Sequence, residues 1–413
     1  MREMKDSGIE WIGEIANTHK LVRLKYVAEI LDEYRKPVTA QYRNQNADIL
    51  YDYYGASGII DKIDGYTIDD HVMLIGEDGA NLKLRNLPLM YEVCGKAWIN
   101  NHAHILKPMK NVDFYYLFYA LESLDINNYI TGSAQPKLNQ ENLKEILIPL
   151  PSYEAQKKVS SYLAPKCSEI DVTAEDIQKE ISLLEDYKKS VITEAVTKGL
   201  NPDAEMKDSG IEWIREIPKH WEIIKGKYVL KYLQKPVKDD DGVITCFRDG
   251  EVTLRSNRRE AGFTLSDKEI GYQGIDVGDL VVHGMDGFAG AIGISDSRGK
   301  ASPVLNVLNS KYNKRYLMYY LRSMAFSNIF VALASGIRVR SCDLRWNKLA
   351  ELPYPTTNYA EQTEIVNYID SKCSEIDTLI ADKKRQLDIL ADYKKSLIYE
   401  YVTGKKEVPA QEF

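Results

Sequence analysis

The sequence contains no long apolar segment. Its apolar runs are interrupted by charged residues well before the roughly 18 residues that a membrane span requires. The polar start MREMKDSGIEW also lacks the apolar core of a secretory signal peptide. These absences predict a protein that is cytoplasmic and makes no contact with a membrane.

Cysteine pairs and an excess of positive charge are missing as well. The five cysteines are widely spaced and form no CxxC pair, which argues against a zinc or redox motif and predicts reduced thiols. Acidic residues outnumber basic ones by 61 to 54, which gives a net charge of −7. Since nucleic acid is polyanionic, any nucleic-acid contact requires a local basic patch or positive charge from a partner.

Catalytic motifs are absent too. There is no phosphate-binding GxxxxGK[ST] loop, and no NPP or DPP tripeptide by which an amino-methyltransferase holds a flipped base. The glycines of GFAGAIG, which begins at Gly287, lack the GxGxxG spacing and predict a turn between strands. His102 and His104 have no acidic or cysteine cluster beside them, so we interpret them as hydrogen-bonded strand residues. Glu77 with Asp78 suggests catalytic carboxylates or a metal loop, but the family resemblance drawn from the motifs below implies that this loop is a turn. We therefore predict no catalytic residue and no metal site.

An internal repeat organises the chain. The segment MKDSGIEWIGEI, which begins at Met4, returns 202 residues later as MKDSGIEWIREI, and only Gly13 against Arg215 differs. Two further segments, KCSEID from Lys166 and LEDYKKSVITEAVTKG from Leu184, recur 206 residues later, the second in altered form. A period of about 200 residues is far longer than that of a solenoid repeat, so the chain contains duplicated domains.

Between the repeats lie two variable stretches, residues 20–150 and 222–355, that resemble each other only faintly. Both close alike, since GSAQPKLNQENLKEILIPLP from Gly132 aligns without a gap to GIRVRSCDLRWNKLAELPYP from Gly336. Short β-type runs separated by glycine turns predict an α+β fold with two α/β domains of one topology. The predicted boundaries are 1–150 and 201–355 for the two domains, 151–200 and 356–405 for two spacer helices, and 406–413 for a tail.

Each variable stretch is followed by a segment rich in Glu, Lys, Leu, Ile and Ala, which predicts a long helix. Apolar residues recur there at alternating steps of four and three, as in the seam of a coiled coil. We predict two antiparallel helices of about 30 residues, roughly 45 Å long, that separate the domains in a pseudo-twofold arrangement. Pro165 is expected to divide a short helix from the long one, and Gly199 and Gly404 to end the two helices.

The seam has the same register in both copies. Lys188 and Lys394 interrupt it at matched positions, either to fix the register or partner choice, or with their ammonium groups reaching solvent. The predicted seam and partner-binding residues are Ile177, Ile181, Leu184, Tyr187, Lys188, Val191, Leu387, Leu390, Tyr393, Lys394 and Leu397.

Side chains suited to reading DNA occur in both variable stretches. Asn and Gln can form paired hydrogen bonds with adenine, and Arg or Lys with guanine. The candidates are Lys83, Arg85, Asn100, Asn101, His102, Gln135, Lys137 and Asn139 in the first stretch, and Arg255, Arg258, Arg259, Lys300, Ser302, Arg338, Arg340 and Arg345 in the second. Any one of them alone is more often a solvated or turn-forming residue, so the hypothesis concerns the set.

The pattern as a whole resembles the specificity subunits of type I restriction and modification enzymes. The resemblance covers nearly the whole chain and rests on SGIEWIGEI and its repeat, YYGASGIID, LIGEDGAN, GSAQPKLN, IPLPSYEAQ and the KCSEID to DYKKS helices. It implies that each variable stretch is a target-recognition domain that reads one half of an asymmetric, bipartite sequence in double-stranded DNA. It also implies that the helices set the unread gap.

The resemblance further implies partners. Two methyltransferase subunits would dock on the helices, and up to two restriction subunits would join them. S-adenosylmethionine, Mg²⁺ and ATP would bind those partners, and this chain would need no cofactor. A scaffold that binds only proteins, with two binding domains on a coiled coil, stays open as the alternative. Sequence-selective binding of duplex DNA distinguishes the two.

Overall fold

The computed structural model describes residues 3–43, 49–132, 134–258, 270–333 and 344–409. The chain divides into two compact units, which we call unit 1 (Met1–Ile177 with Arg385–Phe413) and unit 2 (Gln178–Lys384). Unit 1 thus combines an N-terminal and a C-terminal segment, whereas unit 2 is continuous. The boundaries inferred from the sequence follow the chain linearly and stay a prediction.

Unit 1 contains a six-stranded sheet and two strand pairs. Its strands are β1 (Met4–Asp6), β2 (Glu14–Ala16), β3 (Lys20–Arg23), β4 (Ala28–Ile30), β5 (Tyr51–Gly55), β6 (Gly58–Ile63), β7 (Ile68–Gly76), β8 (Met90–Ile99), β9 (Ala103–Pro108) and β10 (Leu147–Leu150). β1 pairs with β2 and β3 with β10, and the sheet has the order β4-β9-β7-β8-β5-β6. Its pairs are antiparallel except for β5 with β8. Met73 and Ile75 of β7 face one core and Val72 and Leu74 the other, so both sheet faces are covered there.

Unit 2 repeats this plan with a smaller central sheet. Its strands are β11 (Met206–Asp208), β12 (Glu216–Pro218), β13 (Glu222–Lys225), β14 (Lys231–Leu233), β15 (Ile244–Cys246), β16 (Val252–Leu254), β17 (Gln273–Ile275), β18 (Leu280–His283), β19 (Ile292–Ile294), β20 (Gly299–Ala301), β21 (Leu305–Asn309) and β22 (Pro353–Thr356). The sheet has the order β14-β21-β18-β19, and β11-β12, β13-β22, β15-β16 and β17-β20 form pairs. β18 also faces two cores, with Leu280 and Val282 on one side and Val281 on the other.

The described helices include short connecting elements and two long ones. They are α1 (Ala40–Arg43), α2 (Asn81–Leu84), α3 (Phe114–Ser123), α4 (Gln140–Glu145), α5 (Tyr153–Lys198), α6 (Gly226–Val229), α7 (Lys314–Phe326), α8 (Ile329–Ala332), α9 (Trp346–Leu349) and α10 (Tyr359–Val402). Together with the strands they confirm the mixed α and β content expected from the sequence.

The repeated segment MKDSGIEWI forms the same hairpin in both units. β1 pairs with β2 and β11 with β12 in one register. In each turn a serine N–H donates to the carbonyl of the residue that differs between the copies, at 2.8 Å from Ser7 to Gly13 and 2.7 Å from Ser209 to Arg215. The φ angles of Gly13 and Arg215 are 61° and 63°. The second copy therefore places an arginine in a conformation that favours glycine.

The first long helix does not break at its proline. α5 runs through Pro165 as one helix of 46 residues, so the expected division there is wrong. Proline removes one backbone hydrogen bond and crowds the preceding turn. Leu163 and Cys167, on either side of it, are buried in the core of unit 1, and this packing offsets the local cost. α10 has 44 residues, so both helices exceed the predicted length of about 30.

Glycine ends both helices as predicted. Gly199 follows α5 directly and Gly404 lies two residues after α10, with φ angles of 74° and 71°. Since this left-handed conformation is the usual one just past a helix C-terminus, the two glycines act as helix stops.

Within each unit the long helices pack antiparallel, and matched lysines bridge them. In unit 1, Lys394 of α10 lies 2.6 Å from the carboxylate of Asp171 of α5. In unit 2, Lys188 of α5 lies 2.6 Å from that of Asp377 of α10. Lys394 and Asp377 stand 206 residues after Lys188 and Asp171, so the two ion pairs are equivalent in the internal repeat. Each lysine therefore reaches the facing helix, as the register hypothesis requires.

The predicted seam is packed except at its tyrosines. Tyr187 and Tyr393 are 54% and 55% exposed and lie outside it. Supercoiling of the helices, and a role of these tyrosines in partner binding, stay predictions. The buried members are Ile177, Ile181, Val191 and Leu397, and the half-buried ones are Leu184, Leu387 and Leu390.

A buried tyrosine closes each unit onto a helix end. The hydroxyl of Tyr116 in α3 lies 2.6 Å from the carbonyl oxygen of Pro149 in β10 and 3.0 Å from that of Val402 at the end of α10. The hydroxyl of Tyr316 in α7 makes the matching contacts, at 3.1 Å to a proline carbonyl of β22 and 3.0 Å to the carbonyl of Val196 near the end of α5. One topology thus fixes both variable stretches to their helices.

Candidate functional site

Four loops that the sequence motifs mark out meet in unit 1. They are the turn 55–58 of YYGASGIID, the loop 76–79 of LIGEDGAN, the turn 100–102 between β8 and β9, and residues 134–139 before α4. The N–H of Glu77 donates to the carbonyl of His102 at 2.8 Å, and the N–H of Leu138 donates to the carbonyl of Glu77 at 2.7 Å. Main-chain bonds therefore hold loop 76–79 between two of its neighbours. We call this group of loops the loop cluster.

The turn 55–58 joins the loop cluster through a close backbone approach. A Cβ atom on Gly76 would lie 2.7 Å from the carbonyl oxygen of Ala56, which is closer than real Cβ atoms come to other atoms. The N–H of Asn100 also donates to the carbonyl of Tyr54 at 3.1 Å. Only glycine at position 76 allows the two loops to touch.

The ring of His104 anchors the loop cluster from inside. It is buried, with Nδ1 2.6 Å from the carboxylate of Asp32 and Nε2 2.8 Å from the carbonyl oxygen of Leu138. The ring is thus held between a carboxylate and a main-chain carbonyl oxygen. Burial opposes ionisation of Asp32, but the hydrogen bond to His104 and the charges of His104 and Arg35 outweigh it and hold the pKa of Asp32 below its usual value.

Glu77 and Asp78 form the turn expected of them and are held by basic groups. Glu77 is ion-paired with Arg35, and its carboxylate lies 3.0 Å from the ammonium group of Lys137. Burial opposes its ionisation, but the hydrogen bonds from Arg35 and Lys137 lower the pKa of Glu77. Asp78 lies 2.7 Å from Nδ1 of His102.

Of the two histidines, His104 lies on β9 as predicted. His102 lies in the turn before that strand, so its expected place on a strand is wrong by one residue.

Five of the predicted contact residues face solvent in this region. Asn101 and His102 project from one turn, Gln135 and Lys137 from the segment before α4, and Lys83 from α2. The loop cluster thus gathers amide, imidazole and ammonium groups at one exposed surface. Such groups can donate to or accept from base edges and phosphates.

Three other predicted residues support the loops. Asn100 is buried, and its side-chain oxygen accepts from the N–H of His102 at 2.7 Å. The side chain of Asn139 caps α4 by accepting from a backbone N–H of its first turn at 2.8 Å. Arg85, at φ 52°, donates to the carbonyl of Leu124 at 3.1 Å. Their hydrogen bonds fix the geometry from which the exposed residues project.

Unit 2 builds a counterpart of the loop cluster from other residues. Its segments are 247–251, 284–290, 302–305 and 344–345. The N–H of Gly284 donates to the carbonyl of Val304, and that of Leu344 to the carbonyl of Gly284, both at 2.8 Å. These are the two bonds that Glu77 makes in unit 1. The GFAGAIG segment forms a short turn before β19, as its glycine spacing predicts.

The buried anchor of this counterpart is neutral. The side-chain amide of Asn306 donates to the carbonyls of Val282 at 3.1 Å and of Leu344 at 3.0 Å. Asn306 stands 202 residues after His104, and the two side chains bind equivalent carbonyls, those of Leu344 and Leu138. An amide that donates to two carbonyls replaces an imidazole held by a carboxylate and a carbonyl.

The predicted basic residues of unit 2 are only partly gathered. Arg258 stacks on the ring of Phe247, with 4.2 Å to the ring centroid, and lies 2.7 Å from the carboxylate of Asp249. Arg345 is exposed beside Leu344. Nε of Arg255 donates to the Thr245 hydroxyl at 3.2 Å.

The remaining candidates of unit 2 divide into two groups. Lys300 lies on β20, where its N–H donates to the carbonyl of Gly242, and Ser302 is half-buried just after that strand. Arg259, Arg338 and Arg340 lie outside the described residues.

Sequence reasoning missed two exposed residues of these loops. Arg248 is 67% exposed and is ion-paired with Asp286 at 2.9 Å, and Ser57 is exposed in the turn 55–58. Each lies in a glycine-containing turn between two β-type runs. Their position in such a turn is the sequence signal that could have identified them as exposed loop residues.

Comparison with known proteins finds one matching family model and several similar sequences. The family described as the type I restriction modification DNA specificity domain matches residues 17–183. A Haemophilus influenzae protein, named as a type I restriction enzyme specificity subunit, is 32% identical over 34% of this chain and 35% of its own length. The MjaVIII type I restriction enzyme specificity subunit of Methanocaldococcus jannaschii is 26% identical over 76% of each chain.

The chain is thus similar to type I restriction enzyme specificity subunits, and the family model covers residues 17–183 of it. Its fold is also similar to a solved structure from work on complex assembly and conformational transition of the type I restriction-modification system. That chain is 13% identical, the match covers 95% of this chain and 99% of the other, and the TM-score is 0.64. At this identity the likeness shows the mixed α/β fold alone.

The matches to these relatives cover only part of their length. The alignment spans about a third of the length of the Haemophilus relative, so the activity and partners of a whole specificity subunit are not transferred by it. Among the helices in the described ranges, none is long and apolar enough to cross a membrane.

Proposed function

We propose that this chain reads an asymmetric, bipartite sequence in double-stranded DNA, one half with each unit. The observation that carries the proposal is that the loop cluster of unit 1 and its counterpart in unit 2 have the same main-chain framework, which we call the loop frame, but different exposed residues. In unit 1 the frame presents Gln135 and Lys137, and in unit 2 it presents Arg248 and Arg345. Because glutamine prefers adenine whereas arginine prefers guanine, the two half-sites differ.

The ion pairs of the loops support this reading. The ammonium of Lys137 is held by Glu77 and the guanidinium of Arg258 by Asp249, so each donor is positioned before DNA arrives. Preorganised donors lose less conformational entropy on binding. Basic groups at the loops also provide local positive charge in a chain whose net charge of −7 has the wrong sign for binding DNA by overall charge.

The partners and the division of labour follow from the same proposal. α5 and α10 set the unread gap and dock two methyltransferase subunits, with Tyr187 and Tyr393 as exposed, matched contact candidates. Up to two restriction subunits complete the assembly. S-adenosylmethionine, Mg²⁺ and ATP bind those partners in the cytoplasm. This chain selects the DNA site without catalysing a reaction.

Methylome sequencing tests the proposal. Cells that express the chain with a methyltransferase partner should carry methylated adenine or cytosine at one motif with two unequal halves and a fixed gap. Electrophoretic mobility shift of the purified complex should show preference for that motif. A complex without any preferred duplex would favour the protein-only scaffold.

Two changes separate the parts of the mechanism. Four residues, about one helical turn, inserted after Lys179 with a matched insertion after Arg385 should lengthen the gap and leave both half-sites unchanged. An unchanged gap would contradict the role of the helices as a spacer. Exchange of residues 20–150 for those of another family member should change one half-site only.

A further inference from the structure

A cavity in unit 2 carries positive charge that the loop frame does not use. Its volume is about 680 Å³, and its described lining contains three lysines and no carboxylate. Lys227 and Lys231 come from the segment of α6 and β14, and Lys311 from the turn after β21. Tyr228, also in the lining, is 68% exposed.

The sequence concentrates lysine at this place. Residues 225–238 include five lysines and no acidic residue, in a chain of net charge −7. Some of this charge is neutralised, since Lys225 and the cavity's Lys227 lie 2.7 Å and 3.7 Å from Glu351, and Lys235 lies 2.7 Å from Asp276. Lys231 and Lys311 have no ion-pair partner among the described residues. Unbalanced charge in a concave surface attracts an anion.

Unit 1 provides a matched comparison, because it balances the corresponding charge. Lys231 pairs across the strands with Asn309. The residues 202 positions earlier are Glu29 and Lys107, which pair in the same way. The pair is therefore cationic in unit 2 and neutral in unit 1. The charge of Lys231 therefore belongs to unit 2 alone, whereas Lys227 with Glu351 repeats the ion pair of Lys25 with Glu145 in unit 1.

We propose that this cavity binds the sugar-phosphate backbone of duplex DNA next to the half-site that unit 2 reads, an inference that rests on the proposed function. Lysine ammonium groups bind phosphate as point charges and carry no base preference. The Tyr228 hydroxyl adds an exposed donor at the rim. The contact adds affinity and fixes the register of unit 2 on the duplex, while the loops choose the sequence.

The salt dependence of binding tests this inference. The probe is the complex of the full chain with a methyltransferase subunit, titrated by fluorescence anisotropy on a target duplex and on a scrambled duplex. Replacement of both free lysines (K231Q with K311Q) should lower the slope of log affinity against log salt by about 1.8, at about 0.9 per phosphate contact. Between 50 and 200 mM salt, the loss of affinity should then be about 12-fold smaller than for the unaltered complex.

The control replaces two lysines of unit 2 outside the cavity, K207Q with K219Q, and should leave the slope unchanged. Preference for the target over the scrambled duplex should stay the same in every variant. Circular dichroism melting verifies that the variants fold. The exchange K231E with N309K, which imports the pair of unit 1, should also lower the slope without unfolding unit 2.

Each other outcome has a separate meaning. An unaltered slope in the K231Q and K311Q variant, with target preference intact, would overturn the inference and leave the proposed function standing. Loss of the methyltransferase subunit from the complex would show that the cavity binds that protein, and would overturn it too. An unaltered complex without target preference would refute the proposed function, whereas a lowered slope on the scrambled duplex would still support the cavity.

Discussion

Units 1 and 2 make the same contacts with the start of their long helices, but they differ in the buried side chains that support their loops. The buried side chain of Gln156 accepts from the N–H of Asp113 at 2.9 Å and donates to the carbonyl of Pro151 at 3.0 Å. Gln362 makes the same two contacts in unit 2, both at 2.8 Å.

Under the loops, however, unit 1 uses the imidazole of His104 with the carboxylate of Asp32, and unit 2 uses the neutral amide of Asn306. A fixed junction with the helices therefore allows the interior beneath the loops to change. That freedom lets one topology carry two different recognition surfaces.

The largest difference between the units should appear when the anchors are removed. His104→Ala leaves the half-buried carboxylate of Asp32 without its main partner, so we expect unfolding free energy to fall by about 3 kcal/mol. Asn306→Ala leaves two carbonyls without a donor and should cost about 1.5 kcal/mol. Urea unfolding measures both. His102→Ala, at an exposed histidine, serves as the control, and equal losses at the two anchors would contradict the comparison.

The hairpin turns give the next largest effect. Arg215→Gly should stabilise the protein by about 1 kcal/mol, because its φ of 63° favours glycine. Gly13→Arg should destabilise it by about the same amount, since the backbone there has the same conformation. Thermal melting of the two variants tests this. Shifts of the same sign would show that the side chain of Arg215 makes a compensating contact.

The ion pairs between the helices should contribute less and contribute equally. Lys188→Met and Lys394→Met should each lower the unfolding free energy by about 0.5 kcal/mol. The loss is small because the carboxylates of Asp377 and Asp171 are more than half exposed. A double-mutant cycle with Asp377→Asn isolates the pair in unit 2. A coupling several times larger in one unit would break the symmetry of the seam.

The smallest effect is in acid, and it sharpens the electrostatic contrast. Hydrogen bonds from Lys235 and Arg298 lower the pKa of Asp276 from 3.8 to about 2. Because the folded value lies below the unfolded one, this carboxylate stabilises unit 2 above pH 3.8 and loses that contribution as the pH falls towards 2. The effect is small, since the side chain is 48% exposed.

Acid titration followed by circular dichroism measures the effect. Asp276→Asn should be less stable than the unaltered chain at neutral pH and should lose less stability between pH 4 and pH 2. A variant with the unaltered acid profile would show that Asp276 contributes nothing through its charge.

Local features could be predicted from the sequence because neighbouring residues determine them. The repeated hairpin, the glycine stops after α5 and α10 and the turn at Glu77 and Asp78 all follow from short segments. The continuous helix through Pro165 could not be predicted, because buried contacts of Leu163 and Cys167 outweigh the local preference of proline.

The site shows the same division between local and distant information. The motifs marked out the exposed Gln135 and Lys137 correctly as loop residues. The buried contact of His104 with Asp32 joins residues 72 positions apart and depends on the sheet that brings them together. Arg85 is grouped with exposed residues in the prediction because its contact with the carbonyl of Leu124, 39 positions away, also depends on the tertiary fold.

The contact between Tyr116 and Val402 has a consequence for synthesis on the ribosome. Unit 2 is encoded without interruption, whereas unit 1 needs residues 385–409 to complete its core. The stretch translated first must therefore wait, with part of its apolar surface uncovered, until almost the whole chain has emerged. Unit 2 can close before unit 1, which reverses the order in which their variable stretches are made.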